Sequence, residues 1–288
     1  MWTLYPQYGI GARFPFLKNG RGSACFCIFR RLTTIQQSGS TALKRRHREG
    51  FTPITCDLGN IAQAGDTAVI VVRARDDNKD PKPRGKQSTL YHNKGCQYTR
   101  TTGISQTVWM EPVPEAHLQR PRLTPDIANG VLHISQPVRG QPRGYPIKVT
   151  LLDSREAITS AECSASANFT PSLHLKLPEE RLKLRSPESP FLYDLKIELL
   201  NASGEAVDQA SSYAEMRSVT IDGKAIKLNG KPVFQRLILD QGYYPDGIMT
   251  APTDDALRRN IELSMKAGFN SARLHQKVLE ERFFIPCR

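Results

Sequence analysis

Two short apolar segments near the carboxyl terminus each lead into polar side chains that could bind a ligand. Asp240 and Gln241 follow the first segment. Arg273 lies near the end of the second segment, and His275 follows it. A carboxylate and a guanidinium can each form two parallel hydrogen bonds with polar groups. Taken alone, however, Asp240 is also typical of a turn and Arg273 of a solvated surface. His275 has no partner at metal-ligand spacing, so the sequence predicts no metal site.

The elements that must position these residues form one strand, helix and strand unit. Val233–Leu239 and Phe269–Leu274 are apolar runs that predict two strands. Between them Thr253 offers an N-cap, and Gly268 offers a helix stop. The apolar residues of this helix fall four apart, at Leu257, Ile261 and Met265. Such a unit is the repeat of a parallel α/β fold.

The chain upstream of this unit predicts β-sandwiches. Residues 51–114 and 115–220 contain β-branched runs separated by Gly, Pro, Asn and Asp. The second stretch has the size of an immunoglobulin-like domain. Residues 1–48 hold neither a period of 2 nor one of 3.6, so we expect them to be poorly structured.

Composition and charge exclude several classes of protein. The formal net charge is +12, but residues 1–50 carry nine Lys or Arg and one acid, so most of the excess lies there. A basic arm at 13–48 that binds nucleic acid is an alternative, although the nearly balanced remainder makes it unfavoured. No run of about 18 apolar residues exists, so we predict no membrane partner. No secretory signal is visible and the six cysteines form no C-x-x-C pair, so we expect free thiols and a cytoplasmic location.

Four stretches of the sequence resemble glycoside hydrolase family 2, which comprises β-galactosidases, β-glucuronidases and β-mannosidases. They are EGFTPITCDL (49–58); RGKQ (84–87) with YTRTTGISQTVWMEPVP (98–114); SPESPFLYDLKIELL (186–200) with MRSVTIDGKAIKLNGKPVFQR (216–236); and LILDQGYYPDG (237–247) with FNSARLHQK (269–277). Residues 1–48 and 285–288 depart from the family pattern. We therefore expect a fragment, produced by truncation or by a lost reading frame.

The resemblance implies a multidomain, mainly β fold. Its expected parts are an unmatched segment at 1–48, a partial jelly-roll sugar-binding sandwich at 49–114, an immunoglobulin-like sandwich at 115–220, and the first βαβ unit of a (β/α)8 barrel at 221–288. In the family, polar residues at the ends of barrel strands line the sugar pocket. The resemblance thus implies substrate-binding roles for Asp240, Gln241, Arg273 and His275. Arg84–Gln87 is either a plain solvated loop or a loop that reaches toward the barrel mouth.

Catalytic carboxylates are the missing part of this pattern. Retaining β-glycosidases use two of them about 5–5.5 Å apart, one as acid/base and one as nucleophile. In the family both are glutamates from late barrel strands, and the acid/base follows an Asn. The 288 residues contain no Asn-Glu pair, and we interpret Glu262, Glu280 and Glu281 as solvated surface charges. The resemblance therefore implies no catalytic residue and no cofactor in this chain.

Together these observations predict a chain from a retaining β-glycosidase, inactive by itself, whose partner in the intact family is a β-glycoside. The alternative is a non-catalytic carbohydrate-binding or scaffold module built from the sandwiches. Apolar barrel strands without neighbours also predict self-association through 221–288.

Overall fold

The computed structural model describes residues 2–5, 9–15, 24–30, 34–37, 51, 53–57, 67–73, 83–106, 108–142, 144–165 and 170–284. These residues are mostly β-strand, which confirms the expected mainly β, multidomain fold. The chain divides into two compact units, one formed by residues up to 112 together with those from 236 onward, and the other by 113–235. The four segment boundaries expected from the sequence stay predictions. No helix in the described ranges is long and apolar enough to span a membrane.

Most strands of the first unit pair over long distances in sequence, whereas the first two strands pair locally. They are β1 (Trp2–Tyr5), β2 (Gly9–Pro15), β3 (Ala24–Arg30), β4 (Thr34–Gln37), β5 (Pro53–Asp57), β6 (Thr67–Arg73) and β7 (Trp109–Val113). One sheet has the order β1-β2-β6-β4, and the other has the order β5-β3-β7. In the first sheet β2 runs antiparallel to β6, with Ile10 opposite Val72.

The first 48 residues differ from the sequence-based expectation, because they contain β1–β4. Their hydrophobic pattern has no local period, but β2 pairs with β6 and β3 pairs with β5, far along the chain. Local periodicity missed these strands because Gly9, Gly11 and Pro15 interrupt β2 and the apolar run of β3 does not alternate. The run GISQTVWME (103–111) also predicts a strand, but the strand in the structure begins later, at Trp109.

Strands of the second unit form an antiparallel sandwich followed by a small three-stranded sheet. They are β8 (His117–Leu118), β9 (Arg122–Asp126), β10 (Val131–Ser135), β11 (Val138–Arg139), β12 (Pro146–Asp153), β13 (Glu156–Ser164), β14 (Ser172–Lys176), β15 (Tyr193–Leu200), β16 (Ala206–Ala214), β17 (Val219–Asp222), β18 (Ala225–Leu228) and β19 (Lys231–Pro232). The sandwich has a three-stranded sheet, β14-β10-β9, and a four-stranded sheet, β13-β12-β15-β16. Seven strands in two such sheets match the predicted immunoglobulin-like sandwich.

A period of two produces the core of this sandwich. β12 buries every second residue along its length, and β15 does so from Tyr193 onward. Ile147 and Ile197 are fully buried in the resulting cluster. The Tyr193 hydroxyl donates to the Arg181 carbonyl at 2.6 Å and accepts from the Lys183 amide at 2.7 Å, so this buried polar atom is satisfied.

The predicted βαβ unit is present in the first unit. It consists of β20 (Leu237–Asp240), α1 (Asp254–Lys266) and β21 (Ser271–Leu274), and a short helix, α2 (Glu281–Phe284), follows. β20 and β21 are parallel. The Thr253 side chain accepts a hydrogen bond from the Ala256 amide at 3.1 Å, as expected of an N-cap. Gly268 follows the helix with φ +85°.

Two details of this unit differ from the sequence-based expectation. The first strand is shorter than the predicted 233–239, because the Val233 amide donates to Ile226 and continues the small sheet of the second unit. Met265 was expected on the buried face of the helix but is 65% exposed, whereas Leu257 is buried. The reason is that the small cluster of Ala251, Leu257 and Phe283 covers only the first turns of α1.

Candidate functional site

The parallel pairing of β20 and β21 brings the predicted polar residues to one edge. Asp240 lies opposite Leu274 in the register, and the His275 amide donates to the Asp240 carbonyl at 3.0 Å. Both strands therefore end at the same level, and the residues that follow them are neighbours. In a parallel α/β fold this carboxyl edge is where ligand-binding side chains collect.

Asp240 shapes the turn after β20. Its Oδ1 accepts a hydrogen bond from the Gly242 amide at 2.6 Å. Gly242 has φ +54°, and a Cβ at this position would lie 2.2 Å from the Lys277 Nζ. Only glycine suits this position, because a side chain would be strained and would displace the lysine. Asp240 is thus both a turn residue and a carboxylate at the strand edge.

Gln241 and His275 each carry a buried polar atom that lacks a partner. Within the described part of the chain, Gln241 Oε1 and His275 Nδ1 make no hydrogen bond. Burial, followed by the charges of Lys86 and Arg273, lowers the pKa of His275. At neutral pH the imidazole is therefore uncharged and can donate or accept. Native structures pair most buried polar atoms, so both atoms at this strand edge are available to a hydrogen-bonding ligand.

Arg273 is exposed on β21, but its charge acts on His275. The structure therefore brings all four predicted residues to one edge, with Asp240, Gln241 and His275 nearest the strand ends and Arg273 at the periphery. Their roles in substrate binding stay predictions.

Sequence reasoning missed Lys277 and Tyr243. The Lys277 ammonium donates to the Gly242 carbonyl and lies 5.1 Å from the centre of the Tyr243 ring. Burial lowers the pKa of Lys277 to about 8, and the Asp240 carboxylate partly opposes this change. The only signal in the sequence was the position of Lys277 two residues after His275, at the end of the quoted stretch FNSARLHQK.

The 83–106 loop packs against this edge within the same unit. The Tyr243 hydroxyl donates to the Gly85 carbonyl at 2.8 Å, and its ring stacks on Tyr98 with centroids 4.3 Å apart. Thr250 donates to the Ser105 carbonyl at 2.8 Å. The RGKQ stretch thus contacts the residues that follow β20 through Gly85, which agrees with the second of the two alternatives that the sequence left open.

Comparisons with known proteins agree with this architecture. No protein-family model matches the chain. A curated protein of Formosa agariphila named "Putative beta-glucuronidase" is 26% identical over 246 residues, which cover 84% of this chain and 28% of that protein. The beta-galactosidase 2 of Enterobacter cloacae is 31% identical over 116 residues, or 40% of this chain and 11% of that protein.

Solved structures extend the match to nearly the whole chain. A β-glucuronidase from Ruminococcus gnavus superposes with a TM-score of 0.74 over 96% of this chain and 47% of that chain, at 19% identity. A glycosyl hydrolase family 2 member from Bacteroides cellulosilyticus gives 0.74 over 97% of this chain and 36% of that one, at 18% identity. The chain has a glycoside hydrolase family 2-like fold. It spans 28% or less of the length of these curated relatives.

One glutamate of this family 2-like chain is not where the sequence analysis placed it. Glu280 was interpreted as a solvated charge, but it is 8% exposed. Arg282 explains this burial, because its Nε and Nη2 donate to the two Glu280 oxygens at 2.5 and 3.1 Å. Arg282 also pairs with Asp254 at 2.8 Å. Glu280 therefore belongs to a structural ion pair, whereas Glu262 is exposed as expected.

Proposed function

We propose that this chain belongs to a retaining β-glycosidase and contributes one edge of its sugar-binding site. The reaction would be hydrolysis of an O-glycosidic bond, with a β-glycoside as substrate. Within this edge the predicted substrate-binding side chains are Asp240, Gln241, Arg273 and His275. The cytoplasmic location expected from the sequence remains part of the proposal.

The observation that carries the proposal is the pair of unsatisfied atoms, Gln241 Oε1 and His275 Nδ1. An amide oxygen accepts hydrogen bonds, and an uncharged imidazole nitrogen accepts or donates one. Sugar hydroxyls donate and accept, so one ligand class satisfies both atoms. Leaving them unpaired costs about 1–3 kcal/mol each, which a bound sugar would recover.

Charge at the edge supports the same ligand class. The Asp240 carboxylate keeps acceptor capacity beyond its bond to the Gly242 amide. The exposed Arg273 guanidinium adds donors at the periphery of the same edge. Carboxylate and guanidinium groups form strong, directional hydrogen bonds to hydroxyls.

Hydrolysis requires more than this edge provides. A double displacement needs two carboxylates, and Asp240 is the one carboxylate found at the ends of β20 and β21. A glutamate near this edge, Glu280, forms an ion pair with Arg282. We therefore expect the 288-residue chain to bind sugars weakly and not to cleave them.

The binding test is saturation-transfer NMR on the whole chain with methyl β-D-glucuronide and methyl β-D-galactoside as probes. We expect transfer to at least one sugar, and its loss in Gln241→Met, which removes the amide oxygen and keeps the side-chain length. The matched control is Gln209→Met on β16, where the side chain is exposed. Equal transfer in wild type and Gln241→Met would refute the site.

The catalytic test is hydrolysis of nitrophenyl β-glycosides by the purified chain. We expect no turnover above background. Turnover that survives Asp240→Ala and rigorous purification would show that the assignment of the carboxylates is wrong. The non-catalytic module is not favoured, because the relatives that match most of the chain carry glycosidase names.

A further inference from the structure

Two histidines face each other across adjacent strands on the outer surface of the sandwich. His133 on β10 is directly opposite His174 on β14. Their neighbours Leu132 and Leu173 point into the core, so both imidazoles lie on the opposite face of the sheet. The Nδ1 atoms are 2.7 Å apart, and the rings meet edge to face with centroids 4.8 Å apart.

This geometry is close to what a metal ion requires. Two metal–nitrogen bonds of about 2.0–2.1 Å, at angles between octahedral and tetrahedral, place the nitrogens about 2.9–3.3 Å apart. The Nδ1 atoms need to separate by only a few tenths of an ångström. Because the two strands are hydrogen-bonded neighbours, the backbone already holds both ligands in place.

A carboxylate lies near His133, one of the two histidines. Asp126 Oδ2 lies 3.9 Å from His133 Nε2, on the side of the ring away from His174. Asn129 fixes this carboxylate, because its amide and its side-chain nitrogen donate to the two Asp126 oxygens at 3.1 and 2.8 Å. Metal-binding histidines commonly present their second nitrogen to such a carboxylate, which orients the ring.

We propose that His133 and His174 form a binding site for a divalent first-row transition-metal ion. A hydrogen bond between the two Nδ1 atoms needs a proton on one of them. When both rings instead carry a proton only on Nε2, each Nδ1 lone pair is free to bind the metal, and from two neutral rings no net proton is released. On His133 the Nε2 proton then faces Asp126. Water completes the coordination, because no group of three or more His, Cys, Asp or Glu suited to a metal exists among the described residues.

Imidazole ligands favour the later first-row metals, and affinity rises to Cu²⁺ in the usual order. Cu²⁺ is therefore the most sensitive probe, and Mg²⁺ and Ca²⁺, which prefer oxygen ligands, are the negative probes. The site crosslinks β10 and β14, so bound metal should also raise the melting temperature of the chain.

The experiment uses the whole untagged chain with its cysteines alkylated, since Cys96 is an exposed thiol that would bind copper. Cu²⁺ is titrated by calorimetry, and electron paramagnetic resonance reports the number of bound nitrogens. We expect one site with two nitrogens, and an affinity at least about tenfold lower in His174→Ala and in His133→Ala. Asp126→Asn should weaken binding severalfold and preserve the two-nitrogen spectrum.

His92→Ala is the matched control, because His92 is an exposed histidine on the 83–106 loop. Melting of each metal-free variant shows whether it is folded, and His174→Gln replaces His174→Ala if that variant is not. Unchanged affinity in a folded His174 variant, a one-nitrogen spectrum in wild type, or an equal loss in His92→Ala would overturn the proposal.

Discussion

The sandwich and the βαβ unit differ in how completely their strands are buried. In the sandwich, sixteen buried residues form one cluster among the described residues, and twelve of them lie on strands of the two antiparallel sheets. In the βαβ unit the corresponding cluster has three, and Leu237 and Leu239 on β20 are 42% and 45% exposed. The two antiparallel sheets of the sandwich cover each other's apolar faces, whereas parallel strands need layers on both faces. Order in the βαβ unit therefore depends more on its polar contacts than on its core.

The largest expected difference between the two regions is the cost of losing a leucine. Leu195→Ala in β15 should lower the free energy of unfolding by about 3 kcal/mol, because Leu195 is 1% exposed in a packed core. Leu239→Ala in β20 should cost less than about 1 kcal/mol, because 45% of that residue is already in water. Urea denaturation of both variants measures the contrast.

Equal losses in the two variants would show that β20 is buried in solution, for example by another copy of the chain. Repeating the measurement at a tenfold lower protein concentration separates these cases, since burial by association weakens on dilution.

The same contrast explains what could be predicted from the sequence. The sequence predicts a strand at 193–200, and β15 has these bounds, because its residues alternate between a buried and a more exposed face. The strands β1–β4 were missed because glycines and prolines interrupt their segment and its apolar residues do not alternate. Asp240 and His275 were selected because they follow predicted strands, and their roles in binding stay predictions. Lys277 was missed because its importance comes from a fold-dependent contact with the Gly242 carbonyl and the Tyr243 ring.

Lys277 should make the stability of the βαβ unit depend on pH. Its pKa is about 8 in the folded chain, against about 10.5 when unfolded. Between these values the unfolded state holds a proton that the folded state has lost, so stability rises with pH across this window. With solvent screening of this half-buried group, we expect a change of about 1–2 kcal/mol.

The measurement is thermal unfolding of wild type and Lys277→Met from pH 7 to pH 10.5. The melting temperature of Lys277→Met relative to wild type should be greatest at pH 7, and this difference should decrease as the pH rises. Loss of the hydrogen bond from Lys277 to the Gly242 carbonyl would change the melting temperature by the same amount at every pH, so it would not produce this trend. A difference that is constant with pH would contradict the lowered pKa. Lys224→Met, at an exposed position, is the control.

Exposed apolar residues on β20 also predict self-association of the chain. Leu239→Lys should weaken dimerisation about tenfold, equal to about 1.4 kcal/mol, because a charge would enter an apolar contact. Sedimentation velocity over a range of concentrations measures this effect. The comparison variant is Ile221→Lys on β17 of the second unit, which is 78% exposed. If Ile221→Lys weakens association more than Leu239→Lys, the contact belongs to the second unit.

The smallest expected effect concerns the N-cap of α1. Thr253→Ala removes the side-chain acceptor of the Ala256 amide and should cost about 1 kcal/mol locally. Because α1 buries only Leu257, little packing resists its opening, and the loss should stay within the βαβ unit. Hydrogen exchange should therefore accelerate about fivefold at the amides of α1 and stay unchanged in β12 and β15. Thr220→Ala on the exposed strand β17 is the control and should leave hydrogen exchange unchanged in both regions. Acceleration that spreads into the sandwich would mean that the two regions unfold as one cooperative body, and their contrast in packing would then not be a contrast in stability.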